Sequence, residues 1–173
     1  MIRSRSRALV LMGAALVAAC SGHRGPSTEG EPSASSDTQV GDDGLQTAIG
    51  DPKGLTLDQM LARAAKKYAK ELVADSAMIR GTLAAGERSD QLLVLRGTYC
   101  YRILGVGSDG VEDLDLFLYD PDGVQTQQDP GQDRFPVLGL QSEICPPGSG
   151  AYRLQALMYK GTGSYVLRVY RTP

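Results

Sequence analysis

Asp113-Leu114-Asp115-Leu116-Phe117-Leu118-Tyr119-Asp120-Pro121-Asp122-Gly123 is the most legible stretch of the chain. Leu114, Leu116 and Leu118 alternate with Asp115, Phe117 and Tyr119. A period of two sends successive side chains to opposite faces, so this is a strand with leucines on one side. Pro121 presets the first central φ of the turn that follows, Asp122 can bond its own backbone, and Gly123 accepts a left-handed conformation. The chain therefore reverses at Asp120–Gly123.

The text on either side reads the same way. Ile79–Leu83, Gln91–Leu95 and Tyr99–Val106 come before it, separated by Ala85-Gly86-Glu87-Arg88 and Arg96-Gly97. Val124–Gln127, Val137–Leu140 and Glu143–Cys145 come after it, up to the breaker Pro146-Pro147-Gly148-Ser149-Gly150. Tyr152, Leu154, Ala156 and Met158, then Tyr165, Leu167 and Val169, alternate on two strands read as a hairpin across Lys160-Gly161-Thr162-Gly163. Short strands with no helix between them predict a mainly β fold, an antiparallel, jelly-roll-like β-sandwich over residues 76–173. Twenty-one glycines, nine prolines and eight tyrosines among 173 residues fit frequent turns and short strands.

Before the strands, residues 55–75 change period. Leu57, Met60, Leu61, Ala64, Tyr68 and Leu72 recur at helical spacing, and Thr56 with Gln59 fits a capping box. This predicts one amphipathic helix, whose stripe packs on the sandwich, docks on a partner complex or lies on a membrane surface.

Residues 1–19 read as an export signal, with Arg3, Arg5 and Arg7 ahead of an apolar run from Ala8 to Leu16 that is too short to span a bilayer. Val17-Ala18-Ala19-Cys20-Ser21 resembles the lipobox of bacterial lipoproteins. The resemblance implies cleavage before Cys20 and acylation of its sulfur and new amino terminus, including palmitate-like chains that anchor the protein in a membrane. Ser21 stands where an aspartate commonly retains such proteins in the inner membrane, so the expected location is the cell envelope, in the outer membrane where there are two. Residues 20–54 then form a tether of Ser, Gly, Pro, Asp and Glu, too polar to offset its ordering entropy. With Cys20 committed to lipid, Cys100 and Cys145 are an exported pair, expected as a disulfide.

The strand text from about Ile79 to Arg171 resembles the bacterial pre-peptidase C-terminal domain. The residues that carry the resemblance are Asp113–Tyr119 with the Asp122-Gly123 turn, Gly150-Ala151-Tyr152-Arg153-Leu154, and Gly163-Ser164-Tyr165-Val166-Leu167-Arg168-Val169. It implies a non-catalytic β-sandwich of a kind that binds polymers or calcium, or assists secretion. No peptidase precedes the domain in this sequence.

Composition narrows the chemistry. A formal charge of −2, with three arginines spent in the leader, leaves no basic footprint for nucleic acid. The single histidine, His23, lies in the tether, so neither a serine nor a cysteine nucleophile has an imidazole base in the domain. The reading is therefore not an enzyme. Asp113, Asp115, Asp120 and Asp122, with Asp129 and Asp133 beyond, are candidate calcium ligands, because calcium takes six to eight oxygens and closely spaced aspartates supply them. Asp120-x-Asp122-Gly123 only partly matches a calcium loop, and turn chemistry explains the same residues. Tyr99, Tyr101 and Tyr119 are the candidate aromatic binding face, with Tyr159 and Tyr170 as further members. The expected function is an envelope binding or accessory module for a cell-wall glycan, a peptide or a protein; the alternative is an assembly protein that docks through its helix.

Overall fold

The computed structural model describes Ile49, Gly50 and residues 52–173, so the export signal, Cys20, His23 and most of the tether lie outside the described residues. Helix α1 is Leu57–Tyr68. Nine strands follow: β1 Val73–Ala74, β2 Ile79–Leu83, β3 Arg88–Leu95, β4 Tyr101–Gly107, β5 Val111–Tyr119, β6 Gln125–Gln128, β7 Val137–Leu138, β8 Gly150–Gly161 and β9 Gly163–Arg171. They form two antiparallel sheets. The first, sheet A, has five strands, with β1 and β2 both paired to β9, then β4 and β7; the second, sheet B, has four, in the order β3-β8-β5-β6.

The stretch with the clearest alternation behaves as read. Leu114, Leu116 and Leu118 of β5 are fully buried between the sheets, with Leu93, Leu95, Ile103, Tyr152, Leu154, Met158, Tyr165 and Leu167. The reversal after it is closed by Gly123 N–H donating to Asp120 O at 3.0 Å and Asp120 N–H donating to Val124 O at 2.9 Å, with Gly123 at φ 83°. The Asp120 carboxylate also accepts from the Asp122 and Val124 amides at 3.0 and 2.8 Å, the side-chain brace that makes aspartate a turn residue.

Sheet A is buried on both faces. Tyr101 and Ile103 of β4 and Tyr165, Leu167 and Val169 of β9 face the sandwich core. Leu104, Val106, Val166 and Tyr170 face the other way, onto Met60, Leu61 and Ala64 of α1. That explains why β4 and β9 read as nearly continuous apolar runs, where a sheet with one wet face alternates. The helix stripe is thus occupied by its own domain. Thr56 caps α1 as read, its hydroxyl accepting from Gln59 N–H at 3.3 Å while Gln59 Oε1 accepts from Thr56 N–H at 2.9 Å. Arg80 of β2 pairs with Asp58 in the first turn at 2.7 Å, and Arg102 of β4 donates to the carbonyl of Tyr68 at the other end. The helix is pinned at both ends.

Three expectations need correction. The helix covers Leu57–Tyr68 and not the whole of residues 55–75; past Ala69 the chain extends so that Val73 and Ala74 pair with Arg171 and Tyr170, while Leu72 still packs on the same cluster. Glu143–Cys145 is not a strand but one isolated bridge, Ile144 opposite Tyr101. β8 and β9 are not a hairpin: β8 pairs with β3 and β5, whereas β9 pairs with β1, β2 and β4. Thr162 carries the chain from one sheet to the other. Both tyrosine-leucine rows face the same core, from opposite sides, and alternation cannot distinguish that from two neighbours in one sheet.

Cys100 and Cys145 form the expected disulfide. It fastens the entrance of β4 to the Ile144 return, beside the Tyr101–Ile144 backbone bonds at 2.7 and 2.9 Å.

Candidate functional site: the outer face of sheet B

Sheet A has its outer face covered by α1, and among the described residues no helix covers the outer face of sheet B. Three strands contribute to that face in register. Tyr119 of β5 lies opposite Arg153 of β8, which lies opposite Leu92 of β3; Phe117, Gln155 and Asp90 form the next row. Asp115, Leu157 and Arg88 form the third.

The middle of the face is a connected network. The Arg153 guanidinium sits 3.8 Å from the centroid of the Tyr119 ring, close enough for a cation–π contact. The same guanidinium donates to Asp90 Oδ1 at 3.0 Å, and the Gln155 amide donates to that oxygen at 2.9 Å. The Gln155 hydrogen bond is the main reason the Asp90 carboxyl is held below its ordinary value, against the opposing effect of burial; Arg153 adds to the lowering. Leu92 and Val94 rise beside it, 77% and 73% exposed. The face therefore offers an aromatic ring, a fixed guanidinium, an amide and two apolar side chains on rigid strands. Side chains of these types can stack on and hydrogen-bond to a flat group without a cleft.

The predicted aromatic trio does not assemble. Tyr101 is 0% exposed in the sandwich core, its hydroxyl accepting from the Arg96 amide at 2.7 Å. Tyr99 packs at the edge of that core with the Arg171 guanidinium 4.1 Å from its ring. Of the three, only Tyr119 reaches the outer face of sheet B. Of the further members, Tyr170 is buried beneath α1, and Tyr159 is exposed. Residue 101 belongs to sheet A, residue 99 to the bend that precedes it and residue 119 to sheet B, so tyrosine content alone said nothing about adjacency.

The four candidate calcium aspartates are also separated. Asp113 is buried beside the bulges of β5, opposite Lys160, and Asp115 is opposite Leu157. Asp120 and Asp122 stand in the turn at the far end of β5; from Asp115 to Asp120 the strand advances roughly 16 Å, too far for one ion. Asp120 spends one carboxylate oxygen on the turn amides. Asp129 accepts from the Val137 amide at 2.9 Å and Asp133 from the Phe135 amide at 2.6 Å, which explains both as backbone braces. Among the described residues the one cluster of metal-ligating type is Cys100, Glu143 and Cys145, and its two sulfurs are joined to each other.

Asp115 has a different consequence. Desolvation, with the Asp113 charge beside it, pushes its carboxyl up to about 6. Folded protein then binds more protons than unfolded between about pH 4 and 6, so stability from this group is present below that window and lost as pH rises through it. Because the group is half-exposed, solvent screening reduces the effect to about 1 kcal/mol. Asp115→Asn is expected to raise the urea midpoint at pH 7 and to flatten its dependence between pH 4 and 7, as followed by tryptophan-free near-UV dichroism of the tyrosines.

The residues of the face that the sequence reading passed over are Asp90, Leu92, Val94, Phe117, Arg153 and Gln155. Arg153 and Gln155 did carry a signal, as the polar positions between Tyr152, Leu154 and Ala156. Leu92-Leu93-Val94-Leu95 carried a misleading one, since four apolar residues in a row read as buried on both sides.

No family model and no curated protein matches the chain. Among solved structures, it is similar to the pre-peptidase C-terminal domain of a collagenase from Bacillus anthracis, at 15% identity and a TM-score of 0.43, over 54% of this chain and 87% of that one. That is the family its strand text resembles, and the fold described above rests on this chain's own strand pairing.

Proposed function

We propose that the chain is a lipid-anchored binding or accessory module of a bacterial cell envelope, held through Cys20 by the tether of residues 20–54, and that it is not an enzyme. The observation that carries the binding half is the outer face of sheet B, which no helix covers among the described residues and where Asp90, Arg153, Gln155 and Tyr119 are connected to one another. The anchoring half is supported by the lipobox-like Val17–Cys20 and the arginine-led apolar run ahead of it. The ligand class is a cell-wall glycan or an extended peptide, both of which lie along a flat sheet and present polar groups to a guanidinium and an amide. The docking alternative is weakened by the burial of Met60, Leu61 and Ala64 under sheet A, which leaves α1 a mostly polar outer face.

The test is co-sedimentation of the purified full chain with isolated peptidoglycan and with envelope-protein extract, in calcium and in chelator. Retention is expected, with chelator making no difference. Tyr119→Ala combined with Arg153→Ala is expected to weaken it about tenfold or more, in line with truncating two central interface residues. Retention unchanged in that variant would remove sheet B from the proposal, and acyl-free Cys20 by mass spectrometry of the membrane-extracted protein would remove the anchor.

A further inference from the structure

Going beyond that reading, and independent of lipid at Cys20, we propose that the last part of the tether, residues 42–48, docks along the basic outer side of α1, with Asp42 and Asp43 against Lys66, Lys67 and Lys70. Ile49, where the described chain begins, is 1% exposed and packed in one cluster with Met60, Leu61 and Ala64 of α1. Its carbonyl accepts from Arg63 Nη1 at 3.0 Å. The tether is therefore fastened to α1 before the helix begins.

The side of α1 on which it arrives is basic. Arg63, Lys66 and Lys67 recur at i, i+3 and i+4, Lys70 follows in the turn after the helix, and all four are exposed. Like charges at these spacings repel, so the stripe weakens the helix unless acidic groups lie along it. α1 itself supplies none there: Asp58 is paired with Arg80 in the first turn, and Glu71 stands beyond Lys70. An open groove lined by Leu55, Gln59, Ala62, Arg63 and Lys66 leaves room beside the stripe.

Charge and reach select the occupant. From Gly25 to Pro52 the sequence has six acidic residues and no Lys or Arg, and two of the six, Asp42 and Asp43, are adjacent. The chain passes from Ile49, beside the middle of α1, to Thr56 at its N-terminus. Continued backwards from Ile49, that course leads toward the last turn of α1. From Arg63 to Lys67 the helix rises about 6 Å. The step from Ile49 back to Asp42 covers about 10 Å if helical and up to about 25 Å if extended, so either conformation brings the aspartates to the lysines. A single exposed ion pair contributes little, but several on a segment already fastened at Ile49 form at high effective concentration, an advantage that a separate acidic partner lacks.

The test is carbodiimide coupling of carboxylates to amines in the full chain in neutral detergent, read by peptide mass spectrometry. The lysines are Lys53, Lys66, Lys67, Lys70 and Lys160, so assignments are few. Asp42 and Asp43 are expected to couple to Lys66, Lys67 or Lys70 several-fold more than to Lys160. Mixing isotope-labelled with unlabelled protein should show the links to lie within one chain, and about 1 M salt should lower their yield several-fold. Asp42→Lys with Asp43→Lys should speed thermolysin cleavage before Leu45 several-fold, and adding Lys66→Glu with Lys70→Glu should restore the slow rate. Equal coupling to Lys160, coupling only between chains, or a charge swap that fails to restore protection would overturn the proposal. So would retention of the Cys20→Ser chain on phosphatidylcholine vesicles with about 30 mol% phosphatidylglycerol that Lys66→Glu with Lys70→Glu abolishes, since the stripe would then belong to a lipid surface. None of these outcomes bears on retention by peptidoglycan through sheet B.

Discussion

Replacing Cys100 and Cys145 together by alanine is expected to lower the unfolding free energy by about 4 kcal/mol, the chain-entropy value for the 45-residue separation that their bond closes. The loop contains β4, β5, β6 and β7, strands of both sheets. In the unfolded chain the bond removes conformations in which the start of β4 is far from the Ile144 return. In the folded chain it stands beside backbone bonds that already join Tyr101 and Ile144. The native geometry therefore needs little from the bond, and its effect belongs to the unfolded state. A drop in melting temperature of about 15 °C corresponds for a domain of this size. Guanidinium titrations of the native chain with and without reductant, beside the double alanine variant, are the measurement. Equal midpoints under oxidising and reducing conditions would show that the loop is restrained by other means.

Leu61→Asp is expected to lower stability by a similar amount, about 4 kcal/mol, because it sets a carboxylate among apolar side chains with no partner. Leu61 is fully buried in the cluster with Leu104, Val106, Val166 and Tyr170. Ala62→Asp, one residue on and exposed, is the control and should stay within about 0.5 kcal/mol. The comparison distinguishes a helix that is a third layer of the domain from one that rests on it loosely. In the first case the whole domain unfolds in a single transition at lower denaturant. In the second, amide exchange accelerates in α1 alone while the sheets keep their protection.

Much of the fold could be read from local physics, because local physics determined it. The β5 alternation, the Asp120–Gly123 reversal and the Thr56–Gln59 box depend on neighbours within a few residues, and each appears as read. The separation of β8 from β9 depended on which sheet each strand joined, a choice made by β3, β5 and β4 at long range. The double burial of sheet A was visible in Ile103-Leu104 and Tyr165-Val166-Leu167, but only as apolar runs without an assigned cover. The site was less legible. Tyrosines at residues 99, 101 and 119 look equivalent in sequence, while the sandwich sends one into its core, one to its rim and one to an open face. The Asp90–Arg153–Gln155 network joins residues 63 and 65 positions apart, and no spacing rule connects them.

β9 bonds to β1, β2 and β4, so every strand of sheet A except β7 meets it directly. It is also made about sixty residues after β4. During synthesis, β1 and β2 emerge with no partner in their sheet, β4 finds only the two-residue β7 and the Ile144 bridge, and α1 has no finished surface to cover. The sheet cannot close until residue 171 is available. A chain arranged this way is slow to commit to its fold while still being made, so its early strands stay unpaired until nearly the whole domain has been synthesised.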